Sequence, residues 1–105
     1  MNDVIALQHR AIEIQQKYAR LNQKDGHSAW TVREFMLGFV GDVGDLAKLV
    51  MAKENLRHID NADAKLSHEL GDCLWSLLVI AKQYNINLED AFLAAMNELE
   101  QRIAA

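Results

Sequence analysis

The chain has 105 residues, half of them hydrophobic and a quarter charged, with a net charge of −4. That length suits one domain spanning residues 1–105, and the absence of any basic run or basic-aromatic patch argues against nucleic-acid binding. Cys73 is the single cysteine, so no internal disulfide forms and a reducing compartment is expected. Met1 to Leu21 carries Asp3, Arg10, Glu13, Lys17 and Arg20 without an apolar core segment, unlike a secretory leader, and no apolar stretch is long enough to span a membrane. The expected location is cytoplasmic.

With no proline and five glycines, long helices meet few breaks. Val4, Leu7, Ala11, Ile14, Tyr18 and Leu21 recur at helical spacing, predicting a first amphipathic helix over 3–21. The polar stretch Asn22–Ser28 reads as a loop that breaks at Gly26. Thr31-Val32-Arg33-Glu34 has the form of a capping box opening a second helix. The inward face of that helix is predicted as Phe35, Met36, Phe39, Val40, Val43, Leu46, Ala47 and Val50, ending between Lys53 and His58 around Asn55. A third helix opens at Asn61–Ala64, with Leu66, Leu70, Cys73, Leu74, Leu77, Leu78 and Ala81 as its apolar face. Asn85-Ile86-Asn87 breaks it. Asn87 then caps a fourth helix, with Glu89 and Asp90 in its first turn and Leu88, Phe92, Met96, Leu99 and Ile103 inward. Nothing alternates with period two for long enough to make a strand, so the predicted fold is an all-α bundle of four helices.

Two stretches are near copies: Asp42-Val43-Gly44-Asp45 and Glu69-Leu70-Gly71-Asp72. Residues three apart share a helix face, so each stretch presents two carboxylates on one edge. If the helices pack, four carboxylates converge and repel by about 3 kcal/mol per pair at ~5 Å and an effective dielectric of about 20. A bound cation relieves that repulsion, and oxygen donors without sulfur or imidazole favour Mg²⁺, with Mn²⁺ also suited. Asp42, Asp45, Glu69 and Asp72 are thus the candidate metal ligands. Gly44 and Gly71 hold the same place in both repeats, which suggests a close helix crossing there. Trp30 reads either as a platform for a nucleobase or as a staple at the helix start. Lys48 reads either as a phosphate contact or as a partner of Asp45.

Phe39-Val40-Gly41-Asp42-Val43-Gly44-Asp45-Leu46-Ala47, followed by His68-Glu69-Leu70-Gly71-Asp72-Cys73-Leu74-Trp75, resembles the MazG-type all-α nucleoside triphosphate pyrophosphohydrolases. Their signature is E-E-x-x-E, a helix-loop-helix spacer, then E-x-x-D, and here 23 residues separate Asp45 from Glu69. The resemblance implies cleavage of an NTP or dNTP to a monophosphate and pyrophosphate, with Mg²⁺ held by the four carboxylates and Glu69 and Asp72 as catalytic residues. It also implies a homodimer or higher homo-oligomer, for which helices three and four offer Leu77, Val79, Ile80, Phe92 and Leu93. The chain departs from the signature where Gly41 replaces the first Glu and where Asp42 and Asp45 are one methylene short. Many relatives carry a lysine and an asparagine on the last helix, where Ala94-Ala95-Met96 and Leu99 stand here. A non-catalytic MazG-like module that binds metal or nucleotide, or serves as an interaction module, is the alternative expectation.

Overall fold

The computed structural model describes residues 3–104. It consists of α1 (Val4–Lys24), α2 (Val32–Lys53), α3 (Ala62–Gln83) and α4 (Leu88–Ala104), with no strand among the described residues. Among the described residues no helix is long and apolar enough to cross a membrane. Each boundary has a local cause. Asp3 caps α1 by accepting from the Ala6 amide at 2.9 Å. The helix runs one turn into the predicted loop, to Lys24, before Gly26 turns the chain at φ +80°.

Thr31 does not close the expected capping box. Its hydroxyl donates to the Glu34 carboxylate instead of accepting from a backbone amide, and that bond is the main reason the Glu34 carboxyl lies below its ordinary range. Asn55 and Asn85 both adopt the left-handed conformation just past their helices. Behind them the Leu56 and Ile86 amides reach back to the Met51 and Ala81 carbonyls at 2.9 Å, which closes the ends of α2 and α3. Asn87 caps α4 as expected, accepting from the Asp90 amide at 3.1 Å.

Antiparallel α2 and α3 form the most extensive helix pair, and α1 lies against α3. The core centres on Ala11, Phe35, Leu78 and Val79, backed by Val4, Ile12, Trp75, Ile80 and Leu88. Phe35 stands edge-on between Trp30 and Trp75, with ring centroids 5.4 and 5.3 Å away. The Trp75 indole donates to the Ala11 carbonyl at 3.0 Å and pins α1 to α3.

Several expected core positions lie outside this arrangement. On α2, Met36, Val40, Val43 and Val50 are exposed, and on α3 so are Leu70, Leu74 and Leu77. Val79 and Ile80 are not a free apolar face: Val79 is 0 % exposed and Ile80 packs on the core. On α4 no residue is fully buried, and that helix meets chiefly α1. Four helices are present, but α4 does not close them into one bundle. The radius of gyration, 16.6 Å, exceeds the ~13 Å of a compact domain this long.

The Trp75 bond yields a direct test. Trp75→Phe keeps an aromatic ring but leaves the Ala11 carbonyl without its donor, so stability should fall by about 1–3 kcal/mol in urea denaturation. An unchanged midpoint would show that this bond does not hold α1 to α3.

Candidate metal centre

Phe35, Asp42 and Leu49 follow one another at seven-residue intervals on α2 and so lie on nearly one line of the helix. The two apolar members are buried and hold the α2/α3 seam at its ends, while Asp42 between them is half-buried. On α3, Glu69 and Asp72 are likewise half-buried, next to buried Cys73 and Ser76. Asp42, Glu69 and Asp72 each bring a carboxylate oxygen within 4.8 Å of the others. Three of the four expected ligands therefore meet.

Asp45 is exposed and outside this triad. It lines the cleft beside it, together with Glu69 and Lys48, and its charge still reaches Asp42 and Glu69. The expected pairing of Lys48 with Asp45 is not among the ion pairs of the described residues. Gly44 and Gly71 are not where the helices cross: a Cβ at either would meet nothing within 4 Å. The carboxylates converge because positions 42, 69 and 72 themselves face the seam. Gly38 is the tight glycine, since a Cβ there would come within 3.2 Å of the Trp30 ring.

Burial pushes the Asp42 carboxyl above its ordinary range, with the Asp72 and Asp45 charges adding to the effect. Glu69 is raised in the same way, by burial first and then by Asp42, Asp72 and Asp45. The Cys73 thiol is also pushed up, by burial and then by the charges of Asp42, Glu69 and Asp72, so it is an inert neighbour and not a ready thiolate. His68 Nε2 lies 3.2 Å from Asp72 Oδ2. Glu69 Oε2 is buried with no hydrogen-bond partner. A buried acceptor left unpaired is costly, and an all-oxygen donor set is the chemistry that a hard divalent cation satisfies. The residues present fit such an ion.

The MazG nucleotide pyrophosphohydrolase domain matches residues 32–104. The chain belongs to that family. The match takes in α2, α3 and α4 and leaves α1 outside it. No curated protein and no solved structure gives a significant match.

Two clefts flank the MazG acidic triad. One, of about 340 Å³, is bounded by Trp30, Phe35 and Trp75 together with Tyr18, Gln15 and Asn22 of α1. The other, of about 540 Å³, holds Lys48, Asp45, Glu69, Lys65, His68 and Asn61 on its walls. Lys65 was not a sequence candidate, yet it stands four residues before Glu69 and so shares its helix face.

The raised carboxyls give a pH dependence with a definite sign. A carboxyl whose folded value lies above the ordinary one binds its proton more tightly when folded, so ion-free stability falls as the pH climbs from the ordinary Glu value of 4.5 through the raised one. Glu69→Gln carries no charge there. Without divalent ions it should melt above the parent near neutral pH, with the gap closing in acid. A parent that is equally stable or more stable near neutral pH would show that the triad carries no net repulsion.

Proposed function

We propose that the chain is a Mg²⁺-dependent nucleoside triphosphate pyrophosphohydrolase, which hydrolyses an NTP or dNTP between its α and β phosphates to a monophosphate and pyrophosphate. The observation that supports this most strongly is the meeting of Asp42, Glu69 and Asp72, together with a buried, unpartnered Glu69 Oε2, within a MazG domain. These three residues would hold the ion, with Asp45 at the open side. When bound, a divalent ion supplies neutralisation of phosphate charge and a lower pKa for the attacking water, and Mn²⁺ serves the same purpose.

The protein's own groups do the rest. Glu69 and Asp72 are the catalytic pair, keeping the water between α2 and α3 and taking up its proton. His68 holds the Asp72 carboxylate in place at 3.2 Å. Trp30 stands on Gly38, half exposed, and offers its ring to the nucleobase at the aromatic cleft. A base bound there lies within a few helical turns of the triad, because Trp75 is one turn beyond Asp72.

The working unit in this reading is a homodimer or higher homo-oligomer. Val40 and Val43 on α2, with Leu70, Leu74 and Leu77 on α3, leave an apolar face on the seam helices, and Phe92 and Leu93 leave another on α4. A second copy is the simplest cover for such faces. Sedimentation at micromolar concentration should show no folded monomer, and a stable one would remove this part of the reading.

A second reading is a non-catalytic MazG module that binds metal or nucleotide without turnover. What favours it is Asp45, exposed and outside the triad, together with the missing Glu at Gly41. Activity separates the two. Asp72→Asn preserves size and helix content while removing a ligand charge, and hydrolysis should fall by at least ~100-fold, about 3 kcal/mol of transition-state stabilisation. The check is a pyrophosphate-release assay over common NTPs and dNTPs with Mg²⁺ or Mn²⁺. Absence of turnover in the parent with every nucleotide, and in Asp42→Glu as well, would leave the binding module in its place.

A further inference from the structure

The cleft of about 540 Å³ is lined by both acid and base, with Lys48 one turn beyond Asp45 on α2 and Lys65 one turn before Glu69 on α3. Asp45 and Glu69 line it where it meets the triad, and Lys48 of α2 and Lys65 of α3 line it as well. Among the described residues neither lysine belongs to an ion pair, whereas Lys53 is held by Asp63 and Lys17 lies beside Glu13. Two ammonium groups that decline nearby carboxylates and share a cleft with them are free to bind an anion. That anion must tolerate carboxylates at one end, which means it carries a divalent cation there. A metal-complexed phosphate chain has this make-up, and lysine is an established point-charge ligand for phosphate.

We infer that this cleft is the seat of a Mg²⁺-complexed diphosphate group, with Lys48 and Lys65 binding the oxyanions on the side away from the carboxylates. The order of features along the α2/α3 seam supports the assignment. The aromatic cleft lies on one side of the triad, at Trp30, Phe35 and Trp75; the lysine cleft lies on the other, at Lys48, Asn61 and Lys65. A nucleoside triphosphate laid along this line puts its base between aromatic rings, its α phosphate over the carboxylates and its β and γ phosphates between the lysines. The diphosphate held there is then the leaving group, so the assignment rests on the pyrophosphohydrolase reading for its biological meaning. It also gives the chain lysine contacts to phosphate in α2 and α3, whereas α4 contains no lysine.

Calorimetric titration with inorganic pyrophosphate in excess Mg²⁺, run beside melts in Mg²⁺ alone, tests this without any turnover. The full chain should bind Mg²⁺-pyrophosphate, and Lys48→Ala/Lys65→Ala should weaken that binding by at least ~10-fold. The double variant should keep the parent's rise in melting temperature with Mg²⁺ alone, and Lys24→Ala, at the far end of α1, should behave as the parent. Equal binding of Mg²⁺-pyrophosphate by parent and double variant overturns the inference. So does a parent that is stabilised by Mg²⁺ yet binds no pyrophosphate, although the metal centre then stands. Lysine-dependent pyrophosphate binding in a protein that hydrolyses no nucleotide supports the cleft and removes the proposed activity, so the two failures are distinct.

Discussion

The α2/α3 seam holds three carboxylates at positions where a helix pair ordinarily places apolar side chains. At separations within 4.8 Å and an effective dielectric of about 20, each pair of ionised groups repels by about 3 kcal/mol before solvent screening reduces it. Buried Phe35 and Leu49 secure the seam on either side of Asp42, and the Trp30–Phe35–Trp75 contacts clamp the end where α1 joins. The helices are thus held together by their ends and pushed apart in the middle. A divalent cation reverses the sign of the middle term, which is why the metal centre, the orphaned Glu69 oxygen and the raised carboxyls belong to one account.

A second consequence concerns what the single chain leaves uncovered. The faces of α2 and α3 that turn away from the core carry Val40, Val43, Leu70 and Leu74, and the glycines among them, Gly44 and Gly71, meet nothing. A side chain at either position would point into open space, so these glycines are not required by the contact between α2 and α3. Likewise, beyond Leu88, which packs on the core, α4 leaves Phe92, Leu93, Met96, Leu99 and Ile103 exposed.

Much of this was legible in the sequence because it is written in local chemistry. The helix ends at Gly26, Asn55 and Asn87 follow from residues that tolerate or cap those geometries, and the twin acidic stretches announce a two-helix oxygen site. Periodicity failed where it could not rank faces. An apolar stripe around Val43 or Leu74 looks the same whether it meets the same chain, another chain or water, and Val79 counted as surplus although it is fully buried. Helical phase separates the two members of the α2 acidic stretch for a related reason. Asp45 shares an edge with Asp42, but helical phase carries it one turn round and along, out of the seam and onto the wall of the lysine cleft. Lys65 is legible in the sequence only through its spacing, four residues before Glu69 and so on the same helix face.

The claim on which the account turns is that Asp42, Glu69 and Asp72 share one divalent cation. A crystal structure of the protein grown with Mn²⁺, with anomalous differences collected at the manganese edge, addresses it most directly. The account predicts an anomalous peak between α2 and α3 in bonding contact with oxygens of all three residues, with Glu69 Oε2 no longer unpartnered. A Mn²⁺-grown crystal whose triad carries no peak, or whose carboxylates have turned out to solvent, would contradict it.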